Sequence, residues 1–91
     1  MEKSYISLAS AIVKEQESII GPLAWVEAKK VSGLVIKDHA MKIKSDGKKV
    51  LEALVNQYAK LFGRASIEAC RDAVKRLVSK MEESEIPNNL L

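Results

Sequence analysis

A short segment between two glycines interrupts the otherwise helical pattern of this chain, and it constrains the fold more than any other feature. Between Gly33 and Gly47, two runs of residues alternate in the way that extended strands require. The apolar residues that share a strand face are Leu34 with Ile36, and then Met41 with Ile43. Asp38-His39 lies between the runs and predicts the turn of a β-hairpin, although it is not the favoured Asn-Gly type. Because two strands alone are marginally stable, helices must cover this hairpin.

Apolar residues recur at helical spacing before the hairpin. Residues from about 4 to 20 predict a first helix, and Gly21-Pro22 ends it because proline disfavours helical geometry in the preceding residue. A second, short helix is predicted over residues 22–31. Its apolar residues nearly encircle it: Leu23, Trp25, Val26 and Ala28. A short helix of this kind is buried or faces a partner chain.

Two longer amphipathic helices follow the hairpin. The third begins after Ser45 or Asp46, both favourable N-caps, and ends at Gly63. Ser66 is expected to cap the fourth helix, in which acidic residues come early and basic residues late, as the helix dipole favours. The sequence therefore predicts a mainly α (α+β) fold of four helices with a small β-hairpin between helices two and three.

The length of 91 residues predicts one domain with a thin core. We expect residues 1–82 to form a single compact domain and residues 83–91 to form an acidic flexible tail. A thin core also favours dimerisation, because association buries additional apolar surface.

Positive charge is concentrated in the centre of the chain. The stretch from Lys29 to Lys49 contains seven lysines and two aspartates, a net charge of +5, whereas the whole chain has +3. This stretch predicts an anion-binding face, and a merely solvated face is the alternative. The candidate anion-binding residues are Lys37, Lys42, Lys44, Lys48 and Lys49.

No catalytic or metal-binding pattern is recognisable. We expect His39, the single histidine, to serve the turn, and Cys70, the single cysteine, to behave as a small buried hydrophobe. One cysteine excludes an intrachain disulfide and fits a reducing cytoplasm. No apolar run approaches the roughly 20 residues of a membrane span. We therefore expect a cytoplasmic, non-enzymatic protein with no cofactor, no metal site and no membrane contact.

Two short motifs resemble helical modules found at the ends of bacterial signalling proteins. Residues 20–24, Ile-Gly-Pro-Leu-Ala, resemble the Gly-Pro-(Ile/Leu)-Ala opening of those modules. Tyr58, Leu61, Phe62 and Gly63 resemble an end-of-helix pattern of the same modules. The resemblance covers about residues 18–80 and implies a regulatory interaction module, without implying catalytic residues.

Two functional hypotheses from different classes follow. The preferred one is a protein-interaction or dimerisation module in cytoplasmic signalling or regulation, with a second copy or an unknown protein as partner. Tryptophan is enriched at interface hot spots, which favours helix two as part of the contact surface. The hairpin edge is predicted to belong to the same surface, because its strands can pair with those of a second copy. The predicted interface residues are Leu23, Trp25, Val26, Leu34, Ile36, Met41 and Ile43. The alternative is a small nucleic-acid-binding protein that uses the lysine-rich hairpin face.

Overall fold

Four helices and one two-stranded sheet make up the fold, in a computed structural model that describes residues 2–91. The elements in chain order are α1 Glu2–Ile20, α2 Leu23–Ala28, β1 Leu34–Lys37, β2 Ala40–Ile43, α3 Gly47–Phe62 and α4 Arg64–Val78. Two short 3-10 turns, Glu83–Glu85 and Asn88–Leu90, follow α4. The fold is mainly α with a β-hairpin between helices two and three, which confirms the prediction. None of the described helices is long and apolar enough to cross a membrane.

The first helix is the centre of the molecule. α1 packs against α4, α2, α3 and β2, and one stripe of its side chains is fully buried. That stripe consists of Leu8, Ala9, Ile12 and Val13. Leu54 and Val55 of α3 and Val74 of α4 complete the same core. The helical spacing that predicts these elements therefore also predicts their buried faces.

The hairpin has the predicted register and turn. Leu34 pairs with Ile43 and Ile36 with Met41, so these four residues share the face that points into the core. Asp38 and His39 both have positive φ angles, 50° and 67°, as a two-residue hairpin turn of the primed type requires. Asp and His tolerate this backbone region better than most residues do, which explains how the turn forms without glycine.

The caps of α3 and α4 differ in how well the sequence predicts them. Asp46 caps α3 as predicted, because its carboxylate accepts hydrogen bonds from the backbone N–H groups of Lys48 and Lys49 at 3.0 and 3.4 Å. Ser66 does not cap α4. The positive φ of Gly63, 82°, turns the chain sharply enough for α4 to begin at once, which leaves Ser66 buried inside the helix.

The last nine residues are packed onto the helices rather than forming the expected flexible tail. Ile86, Pro87 and Leu90 are buried, and this burial offsets the cost of ordering the segment. The Tyr5 hydroxyl donates a 2.8 Å hydrogen bond to the Glu85 carbonyl. The backbone N–H of Asn88 donates to the Glu52 carboxylate on α3 at 2.9 Å. Compact structure therefore continues past residue 82.

Candidate interaction surfaces

The predicted interface residues do not form one exposed surface. Leu23 and Val26 are exposed, Ile36 is half-buried, and the remaining four side chains belong to the core. The four buried residues are Trp25, Leu34, Met41 and Ile43. The inner face of the hairpin packs against the chain's own helices, so a partner cannot reach these four side chains without opening the hairpin.

Trp25 packs against the hairpin turn. Its indole stacks on the His39 imidazole with ring centroids 3.9 Å apart and an angle of 4° between the ring planes. The tryptophan is only 6% exposed, and its Nε1 has no hydrogen-bond partner among the described residues. The stack therefore joins α2 to the tip of the hairpin and shields the apolar body of the indole.

A group of exposed apolar side chains lies at one end of the helices. The Gly21-Pro22 turn and Gly63 bring together the end of α1, the start of α2, the end of α3 and the start of α4 at this point. A shallow pocket between α1 and the α3–α4 turn is lined by Ile19, Ile20 and Phe62, among others. We define the apolar end by its five exposed side chains: Ile19, Leu23, Val26, Leu61 and Phe62.

The sequence carries a signal for the apolar end that helical spacing alone overlooks. Ile19-Ile20 closes α1, and Leu61-Phe62 closes α3. Adjacent apolar residues in the middle of a helix, such as Ile12 and Val13, are both buried here, whereas these two pairs lie at helix ends, where fewer neighbouring residues cover them. In the structure Ile20 is half-buried while Ile19 is exposed, and Leu61 and Phe62 are both exposed.

Charges of both signs border the apolar end. Glu15 lies one helical turn before Ile19 on α1 and is exposed. Lys60 and Arg64 flank the α3–α4 turn and are exposed as well. The surface therefore combines an apolar centre with a charged border, which is the usual anatomy of a protein–protein contact.

The structure brings together three of the five candidate anion-binding lysines. Lys37, Lys42 and Lys44 line one groove on the solvent side of the hairpin. Lys48 lies on the first turn of α3, and its Nζ donates to the Ser84 carbonyl at 3.0 Å; Lys49 is exposed on the same turn. We define the hairpin outer face as Val35, Lys37, Ala40, Lys42 and Lys44.

The buried polar side chains connect the helices to one another. The Tyr58 hydroxyl donates to the Ala24 carbonyl at 2.6 Å, and burial raises the pKa of this phenol. Glu27 accepts hydrogen bonds from Gln57 Nε2 at 2.8 Å and Lys30 Nζ at 3.0 Å. These bonds, that from Gln57 first, lower the pKa of the Glu27 carboxyl. Such contacts hold α2 against α3.

Cys70 is buried, as predicted from its place in α4. Burial raises the pKa of its thiol to about 11, and the nearby Gln16 amide offsets only part of that effect. Gln16 Nε2 also donates to the Ser66 carbonyl at 3.3 Å. A protonated, buried thiol is a poor nucleophile. Across residues 4–91, whose side chains the structure describes, no group of three or more His, Cys, Asp or Glu side chains is arranged to hold a metal ion.

Comparison with known proteins gives no further guide to function. No protein-family model, no curated protein and no solved structure matches this chain. The resemblance of the Gly-Pro-Leu-Ala and Tyr58–Gly63 motifs to signalling modules therefore stays a prediction. The geometry of the two surfaces, the apolar end and the hairpin outer face, is what supports a function.

Proposed function

We propose that this protein is a non-enzymatic protein-interaction module of cytoplasmic signalling or regulation, which pairs with a second copy of itself through the apolar end. One observation carries this proposal. Five large apolar side chains on three helices are each 39–59% exposed. Ile19 and Phe62 line one pocket, Leu61 adjoins Phe62 in sequence, and Leu23 and Val26 follow the turn that ends α1. Single exposed apolar residues are ordinary on protein surfaces, but a group of this kind marks an interaction site.

A second copy suits the chemistry of this surface. In a two-fold dimer the same patch contacts itself, so the apolar centres of both copies meet. The bordering charges also suit this arrangement, because Glu15 of one copy is then available to Lys60 or Arg64 of the other. A chain of 91 residues has a thin core, and dimerisation adds buried apolar area to it.

Light scattering of the purified protein at low and high salt tests this proposal. We expect a dimer whose mass does not change with salt, because apolar contacts are not screened by ions. A Leu61→Glu variant is expected to be monomeric at the same concentration, since it places a charge on an exposed apolar residue of the proposed contact. Val35→Glu is the matched control, because Val35 is similarly exposed on the hairpin, and it is expected to remain a dimer.

Circular dichroism establishes that both variants keep the wild-type fold before their masses are compared. A monomeric wild-type protein at millimolar concentration contradicts the proposed dimer. A dimer that Leu61→Glu leaves intact, or that high salt dissociates, contradicts the choice of the apolar end.

A further inference from the structure

The hairpin has a free backbone edge beside its lysine-bearing outer face. Lys44 N–H donates to the Gly33 carbonyl at 2.8 Å, which fixes the alternation of hydrogen-bonded pairs along the ladder. In that alternation the backbone groups of Leu34 and Ile36 point away from β2. The Leu34 N–H is taken by the Val31 carbonyl at 3.2 Å. Within residues 2–91, the N–H and C=O of Ile36 have no backbone partner.

The two strands differ in how the rest of the fold surrounds them. β2 lies beside α1, whereas the backbone of β1 approaches mainly that of β2. Val35 and Lys37, the solvent-facing residues of β1, are both exposed. The edge of β1 away from β2 is therefore the candidate place for a further strand.

The outer face combines positive charge with a small apolar centre. Val35 is 39% exposed, and it lies beside Ala40 between the three lysines. Asp38 is the one acidic residue among those that line the groove. Lys42 lies on β2, and Lys44 is the first residue after it. Two residues of extended chain span roughly 7 Å, which is also the spacing of alternate side chains on a neighbouring strand.

We propose that this surface binds an extended acidic segment of a partner protein, which adds to β1 as a third strand. The backbone of the segment pairs with the free N–H and C=O of Ile36. Its alternate side chains lie on the outer face, where acidic residues neighbour Lys37 and an apolar residue contacts Val35. Main-chain hydrogen bonds supply affinity and the alternating side chains supply selectivity, as in other strand-addition complexes.

A second copy of the protein also offers a strand, its own β1, that could pair with this edge. Lys37 disfavours that pairing. Edge lysines discourage pairing between identical edges, because each copy brings positive charge to the same ladder. An acidic strand converts the same position into an attractive pair. The outer face is thus distinct from the apolar end, and the two proposals succeed or fail independently.

The observations favour a peptide over a nucleic acid. Single-stranded nucleic acids bind through bases stacked on aromatic rings, and the five residues of the outer face include no aromatic side chain. The apolar centre at Val35 and Ala40 offers no favourable contact to a phosphate backbone. The free N–H and C=O of Ile36 match the backbone of a strand. Lys48, which a phosphate backbone would need as a further contact, already donates a hydrogen bond to the Ser84 carbonyl.

Nuclear magnetic resonance titration with the peptide acetyl-(Glu-Thr-Val-Thr)2-amide tests the proposal, because Glu and Val then alternate on the strand face that lies beside Lys37 and Val35. We expect chemical-shift changes centred on β1 and slower hydrogen exchange at the Ile36 amide. The double variant Lys37→Glu/Lys42→Glu is expected to bind about tenfold more weakly, since the charge pair with Lys37 becomes repulsive and the outer face loses a second positive charge. Arg71→Glu/Lys75→Glu, which changes the net charge equally at two exposed positions of α4, is the matched control and is expected to leave the affinity unchanged.

Two further ligands decide between strand addition and simple charge attraction. The same peptide with every backbone amide N-methylated keeps its charges but has no N–H group to donate to β1, so we expect its binding to be lost. Oligothymidylate of 12 nucleotides is expected not to bind. The proposal is overturned if the N-methylated peptide binds equally well, if the Ile36 amide exchanges at its free rate, or if oligothymidylate binds and the peptide does not.

Discussion

At the scale of single residues, Trp25 shows that a residue type enriched at interfaces can stabilise the fold instead. The sequence favours a contact role for the only tryptophan, but the indole stacks on His39 at 3.9 Å and is almost fully buried. His39 in turn adopts a positive φ, so one residue provides both the turn geometry and the stacking partner. Which ring covers the indole is decided by the position of the hairpin relative to α2, and no local pattern encodes that position.

Replacing His39 with Asn tests this stack. Asn tolerates the same left-handed backbone region, so the turn is kept while the ring is removed. We expect the free energy of unfolding to fall by about 1 kcal/mol, the usual contribution of an aromatic pair. The fluorescence of Trp25 is expected to shift to longer wavelength. Asp38→Asn, in the same turn, is the control, and an equal loss in both variants would show that the turn rather than the stack is responsible.

Helices and strands are the scale at which the sequence predicts best. The hairpin register, the Asp46 cap and the buried stripes of α1, α3 and α4 follow from glycine placement and apolar periodicity, which act within a few residues. The start of α4 is missed, because Gly63 permits a turn sharp enough to bypass Ser66. Side-chain exposure at helix ends is missed too, because it depends on which neighbouring helix stops short.

Glu27 makes the contact between α2 and α3 sensitive to pH. Hydrogen bonds from Gln57 and Lys30 lower the pKa of this carboxyl below its usual value of 4.5. The unfolded chain lacks both bonds, so the stabilisation is complete above about pH 4.5 and is lost as the pH falls through the lower folded pKa. We expect Glu27→Gln to be less stable than the wild type at pH 7, with a difference that shrinks at pH 3.

Urea unfolding of both proteins at pH 7, 5, 4 and 3 measures this difference. Glu68→Gln, an exposed change on α4, is the control and is expected to alter the free energy of unfolding by less than about 0.5 kcal/mol at each pH. A Glu27→Gln deficit that stays constant from pH 7 to pH 3 would contradict the assigned role of the charged carboxylate.

The whole molecule explains why residues 83–91 are ordered although their composition predicts a flexible tail. Three buried side chains, Ile86, Pro87 and Leu90, are spaced so that successive short turns direct them toward the helices. Hydrogen bonds with Tyr5 and Glu52 fix the path between those turns. The acidic composition of this segment predicts flexibility. Its ordered structure depends instead on a surface that exists only after α1, α3 and α4 have packed.

The last two residues provide a matched test of this packing. Leu90 is buried and Leu91 is 54% exposed, so the same substitution samples two environments one residue apart. We expect Leu90→Ala to reduce the free energy of unfolding by about 2 kcal/mol or more, through lost burial and the cavity that remains. Leu91→Ala is expected to change it by less than about 0.5 kcal/mol. If chemical denaturation shows equal, small changes in the free energy of unfolding for both variants, the segment is a flexible tail after all.

The central position of α1 has a consequence for how the protein is made. α1 packs most extensively against α4, and its Gln16 and Tyr5 side chains bond to carbonyls 50 and 80 residues further along the chain. The ribosome therefore releases α1 long before the segments that cover it are synthesised. During that interval the apolar stripe of α1 is exposed to water. Its native contacts form only after distant segments of the chain have been synthesised and long loops have closed. α1 is thus the segment of the nascent chain that chaperones are expected to bind.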